Sequence, residues 1–122
     1  MRRVIKEKLQ DVSTDIKKCD VIFYDNEKLR RYCARYDAVN SMRLEILAVI
    51  DDLSWWNSDL VFTVEGIYPV IRGKVKDKVA YDDVYFDSSG ALMIGDDFKF
   101  TNSYVRLEKI HSACDALERI VM

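Results

Sequence analysis

The densest run of chemically useful side chains is Lys28-Leu29-Arg30-Arg31-Tyr32-Cys33-Ala34-Arg35-Tyr36. On a helix, Arg31 and Arg35 lie one turn apart, as do Tyr32 and Tyr36, so a basic pair stands beside an aromatic pair. A guanidinium offers phosphate a planar fork of donors and a tyrosine ring can stack on a base, which is what a nucleotide-sized anion requires. The same spacing also suits a plainer role, with the tyrosines in an apolar seam and the arginines in solvent or paired with Glu27 and Asp37. Further on, Arg72, Lys74, Lys76 and Lys78 recur at every second position. On one strand these four share a face, and Gly73 would let a backbone or ligand approach closely. Such a stripe reads either as an anion surface or as charge that keeps a sheet edge from aggregating.

The rest of the chain is poor in reactive groups. Asp51-Asp52, Asp82-Asp83 and Asp96-Asp97 could offer carboxylates to Mg²⁺ or to acid–base work, but neighbours on a strand point to opposite faces, so each doublet supplies one inward ligand. His111 and Cys114 share a helix face, half of a zinc site that Cys19 and Cys33 would have to complete from elsewhere. No C-x-x-C pair supports that, and Cys19 and Cys114 fall in apolar stripes, so buried free thiols are expected. One histidine, no Gly-rich phosphate loop, no G-x-S-x-G and no H-E-x-x-H leave no catalytic apparatus, cofactor or metal to expect.

The elements that would carry these residues follow from periodicity. Ile5, Leu9, Val12, Ile16, Cys19 and Phe23 are spaced four and three apart, a heptad seam on one helix. Asp25-Asn26 offers a turn and an N-cap. Leu29, Tyr32, Tyr36, Val39, Ile46, Ile50 and Leu53 continue the rhythm without Gly or Pro, which predicts a second helix over residues 27–53, with Arg43 on its seam. The run Val21-Ile22-Phe23-Tyr24 also fits a short strand, being β-branched and aromatic. Two such helices predict an N-terminal hairpin arm over 1–54 and a coiled-coil dimer surface made by Ile5, Leu9, Val12, Ile16, Leu29, Val39 and Ile46, with Trp55 and Trp56 as a core anchor and an interface contact. Residues 59–100 read as an antiparallel meander of three to five strands, with Gly66 and Pro69 at a bend or edge and Asp87-Ser88-Ser89-Gly90 as a hairpin turn. Residues 102–121 read as a C-terminal helix with a stripe of Tyr104, Leu107, Ile110, Cys114, Leu117 and Val121. The expectation is an α+β fold in the order α-α-β-β-β-β-α, one domain of 122 residues.

Charge narrows the class of partner. Residues 1–36 hold ten Lys and Arg against six Asp and Glu, whereas the remainder holds nine against fifteen, and the net charge is −2. A basic part on an acidic body attracts an anion locally, and bulk nucleic acid is disfavoured because it needs a broad positive footprint. No apolar run reaches the ~18 residues of a membrane span, nothing after Met1 resembles a signal peptide, and three cysteines fit a reducing compartment, so a cytoplasmic protein is expected. In size and texture alone the chain resembles small virus- or mobile-element-encoded inhibitors, a likeness that carries over no residue and would place it in the host cytoplasm. Two functions are expected to compete. One is a homo-oligomeric, non-catalytic binding protein acting by protein–protein contact. The other is an oligomeric module that sequesters a phosphate-bearing ligand through its Arg/Tyr and Lys surfaces at a subunit junction.

Overall fold

The computed structural model describes residues 1–15, 17–53 and 58–121. Among the described residues the chain is mixed α+β, with four α-helices and two antiparallel sheets. Helix α1 (Arg2–Leu9) leads into β1 (Cys19–Phe23), and α2 (Glu27–Arg35), α3 (Asp37–Asn40) and a 3-10 turn at Arg43–Glu45 follow. Strands β2 (Ile46–Asp52), β3 (Ser58–Thr63), β4 (Ile67–Ile71) and β5 (Lys74–Val75) complete a five-stranded sheet in sequential order with β1. A second 3-10 turn, Tyr81–Asp83, precedes the three-stranded meander β6 (Val84–Phe86), β7 (Leu92–Ile94) and β8 (Lys99–Phe100), and α4 (Leu107–Val121) comes last.

The large sheet is apolar on both faces. Val49, Val61, Ile22 and Val70 pack under Leu29, Tyr32, Cys33 and Val39 from α2 and α3. On the other face Ala48, Ile50, Leu60 and Phe62 meet Ile5 and Leu9 of α1, Ile110, Cys114 and Leu117 of α4, and the small sheet. A register shift between Ile46 and Ala48 turns Leu47 and Ala48 toward the same side, and with both faces covered every residue of β2 is buried. The segments around α1 and α4 are stitched together, with Arg106 N–H donating to Val12 O and Thr14 N–H to Tyr104 O, both at 2.8 Å.

The long helical hairpin expected over 1–54 is not formed. Residues 19–23 and 46–52 are strands, α1 is eight residues long, and α2 stops at Arg35 because Tyr36 takes an extended conformation (φ −136°, ψ 111°). The run Ile46-Leu47-Ala48-Val49-Ile50 is apolar on all sides, as a strand covered on both faces must be, and Ile46 and Ile50 of the expected seam were drawn from it. The seam residues Ile5, Leu9, Val12, Leu29, Val39 and Ile46 are all buried within the chain rather than left open. Ile16, Trp55 and Trp56 lie outside the described residues. The C-terminal helix starts at Leu107, five residues later than expected.

Local punctuation behaves as its chemistry demands. Asn26 caps α2, its Oδ1 accepting from Lys28 N–H at 2.9 Å. Pro69 offers only its carbonyl, which accepts from Lys76 N–H, to the outer side of β4, where the two-residue β5 asks for no further donor. Asp87 Oδ1 accepts from Ser89 N–H and Ala91 N–H and closes the hairpin at Gly90.

Candidate functional site

The first turns of α2 set Glu27, Arg30 and Arg31 on one face, because residues three and four apart are neighbours on a helix. That face looks across a cleft of about 540 Å³ at Arg43 and Leu44 of the first 3-10 turn, with Arg2 and Tyr24 at one end. The Arg2 guanidinium lies 4.8 Å from the centre of the Tyr24 ring. Asp25 is already paired, to Lys6 at 2.5 Å. Among the described residues, no ion pair uses Arg2, Arg30, Arg31 or Arg43. Leu44 stands beside them 87% exposed, the most exposed large apolar residue described. Four guanidinium groups with Glu27 as the single unneutralised acid make a concave surface that favours carboxylate or phosphate, with an apolar contact at its lip.

The Arg/Tyr quartet read from the sequence is divided by the fold. Arg31 lines this cleft, whereas Tyr32, Arg35 and Tyr36 belong to a network over β2 and β3 that runs from buried Tyr32 to exposed Arg35. Tyr32 is fully buried, so its ring is no platform for a base, and its hydroxyl donates to Asp59 Oδ2 at 2.6 Å. Arg35 donates to Asp51 Oδ2 at 2.9 Å and lies over the rings of Tyr32 and Tyr36. Asp59 Oδ1 accepts from Asp52 N–H, and Asn102 Nδ2 donates to Asp52 Oδ2. Burial pushes the Asp59 carboxyl up to about 7, against the opposing Tyr32 hydrogen bond and with help from the charge of Asp51. The sequence signal for this network was an Asp doublet and a lone Asp beside a strongly apolar stretch, positions a strand buries.

The Arg72–Lys78 stripe does not form on one strand. Arg72 (φ 51°) and Gly73 (φ 81°) are the two centre residues of a tight hairpin turn between β4 and β5, the conformation that right-handed twist selects. Gly73 does admit a close neighbour, the Tyr36 ring, whose Cε1 would stand 2.8 Å from a Cβ placed there. Lys74 is in β5, while Lys76 and Lys78 lie beyond it, and Lys78 pairs with Glu65 at 3.3 Å.

Lys76 and Lys78 instead border a second groove of about 710 Å³ between the two sheets. Its floor is apolar, including Pro69, Val75, Val79 and Phe98, and its rim carries Asp77, Asp83, Asp96 and Asp97. Asp96 accepts from the Tyr85 hydroxyl at 2.7 Å. Thus parts of two acidic doublets reach one surface, but no group of three or more described His, Cys, Asp or Glu side chains is placed to hold a metal ion. His111 stacks at a tilt on Phe86, 5.1 Å between centres, and Cys114 is buried in the core. No described helix is long and apolar enough to cross a membrane.

Comparison with known proteins gives no relative: no family model matches the chain, and no curated protein or solved structure matches it.

Proposed function

We propose that this chain is a non-catalytic binding protein that works by contact, with the arginine cleft as its working face and an acidic protein surface as its occupant. The observation that carries the reading is the convergence of Arg2, Arg30, Arg31 and Arg43 on one concavity with no ion pair to any of them among the described residues. Like charges gathered this way repel one another, so an incoming anion gains both its own attraction and the relief of that repulsion. Exposed Leu44 at the lip supports a protein occupant, since covering its apolar surface is favourable and arginine is enriched at contact hot spots. An inhibitor that covers a host protein's surface would use such a face.

A second reading, a phosphate-bearing small ligand in the same cleft, draws support from its nucleotide-scale volume and from Tyr24 beside Arg2. One titration separates the two. A fluorescent glutamate-rich peptide carrying one leucine should bind, and the R31A/R43A variant should lose that binding. If pyrophosphate or ATP raises the melting temperature while the peptide does not bind, the small-ligand reading takes its place. If neither ligand distinguishes the variant from the parent, the cleft is an ordinary solvated surface and both readings fall.

A further inference from the structure

We propose that the occupant of the arginine cleft is a second copy of this chain, docked through its acidic-rimmed groove with Leu44 seated on the groove's apolar floor. The inference rests on reading the cleft as a contact face for an acidic protein surface, and names that surface.

The two concavities are complementary in the properties that matter for recognition. One presents four arginines that join no ion pair among the described residues, and a protruding leucine. The other presents Asp77, Asp83, Asp96 and Asp97 around a floor of aliphatic and aromatic side chains that includes Val79, Ile94 and Phe98. Among the described residues none of those four aspartates is in an ion pair. Of the two lysines at that rim, Lys78 is engaged by Glu65, which leaves the local balance negative. The groove volume of about 710 Å³ exceeds what a leucine and a neighbouring arginine fill. The mean charge of the chain hides this arrangement, because a positive face and a negative face cancel in the total of −2.

The cleft and the groove share no lining residue. The contact is therefore heterologous: each docked pair keeps one unused cleft and one unused groove, and association continues until a ring closes or the chain of copies ends. Charge attraction brings copies together and weakens with added salt, while the Leu44 contact is indifferent to it.

Sedimentation equilibrium of the full chain tests this with two variants that alter exposed side chains, R43A/L44D in the cleft and D96N/D97N in the groove. Parent protein should gain mass between micromolar and millimolar concentration at low salt, and lose most of that gain in molar salt. Each variant alone should self-associate roughly tenfold to a hundredfold more weakly, the range expected for removing a central anchor and its charge. Mixed together they should form a one-to-one pair and stop there, because the mixture holds a single intact cleft for a single intact groove in each productive encounter. Circular dichroism of each variant checks that the fold is kept. A parent that stays monomeric throughout, variants that associate like the parent, or a mixture that remains monomeric would each overturn the proposal. If self-association fails while the glutamate-rich peptide still binds the cleft, only the identity of the partner is lost. If the peptide fails as well, the contact reading goes with it.

Discussion

Tyr32 donates its phenolic proton to Asp59 at 2.6 Å, joining the middle of α2 to the start of β3 in a contact closed to solvent. The same carboxylate accepts from the Asp52 backbone, and Asp51 on the neighbouring strand holds Arg35 from the last turn of α2. The helix is thus anchored to the sheet by polar contacts at two successive turns, over an otherwise apolar interface.

Stability should fall as pH rises through the range set by Asp59. Its carboxyl titrates near 7 in the folded chain against an ordinary 3.8. Between those values the folded chain keeps a proton that the unfolded chain has released, so raising pH favours unfolding by this group. Urea midpoints at about pH 5 and about pH 8 should therefore decline in the parent, and the decline should shrink in Asp59→Asn. An unchanged slope in the variant would assign the pH dependence elsewhere. Tyr32→Phe leaves the ionised carboxylate short of a donor and should cost about 1–3 kcal/mol at the higher pH, less at the lower.

Two glycine substitutions should separate backbone strain from crowding. Gly90 has φ 86° and open space where a Cβ would go, whereas Gly73 has φ 81° and the Tyr36 ring in that place. Gly90→Ala should cost about 1 kcal/mol from conformation alone. Gly73→Ala should cost at least about 1 kcal/mol more, because the ring must move or the turn must open. Equal losses in thermal unfolding would mean that Tyr36 yields without cost.

The local turns were legible in the sequence and the long-range partners were not. Asn26, Asp87 and Gly90 act through their own backbone geometry, so type and position suffice to place them, whereas Pro69, expected at a bend or edge, lies within β4 between β3 and β5. The helix expected over 27–53 went astray for a physical reason: Ile46 and Ile50 satisfy helical spacing, but so does any matching selection from the continuously apolar run 46–50. Only coverage of β2 from both sides, which depends on α2 and on α4 far away in the chain, decides for a strand; α4 begins at Leu107 and α2 ends at Arg35. Arg43 on the supposed seam was the sign that the helix did not continue. For the site, Arg31 could be read from the charge run. Arg2 and Arg43 could not, because α1 and the 3-10 turn bring them to α2 only once the chain has folded.

Removing cleft arginines should leave the fold intact. Arg30, Arg31 and Arg43 are exposed and hold no carboxylate, so R31A/R43A relieves repulsion and breaks no pair. The melting temperature at low salt should stay level or rise slightly, and added salt should stabilise the variant less than the parent. A loss of more than about 1 kcal/mol would show that the guanidinium groups are structural.

The three thiols should be silent until the chain unfolds. Cys19, Cys33 and Cys114 are free and buried, and burial pushes Cys19 and Cys114 up to about 12, far from the thiolate form at neutral pH. A thiol reagent should find almost nothing in native buffer and three groups in denaturant, without reductant. Fewer than three in denaturant would indicate oxidation or a ligand.

Because α1 is buried against α4, the order of synthesis matters. Ile5 and Leu9 find their covering partners Ile110, Cys114 and Leu117 roughly a hundred residues downstream. At ribosomal speeds of ~5–20 residues per second, an amphipathic helix waits on the order of 10 s with its apolar side uncovered. The sheet can pair during that interval, since each strand of β2 to β5 neighbours the one made just before it. Closure is then a late event, made when the polypeptide's early and late segments meet at Val12 and Arg106. Nascent chains stalled before α4 should be the form that chaperones hold longest.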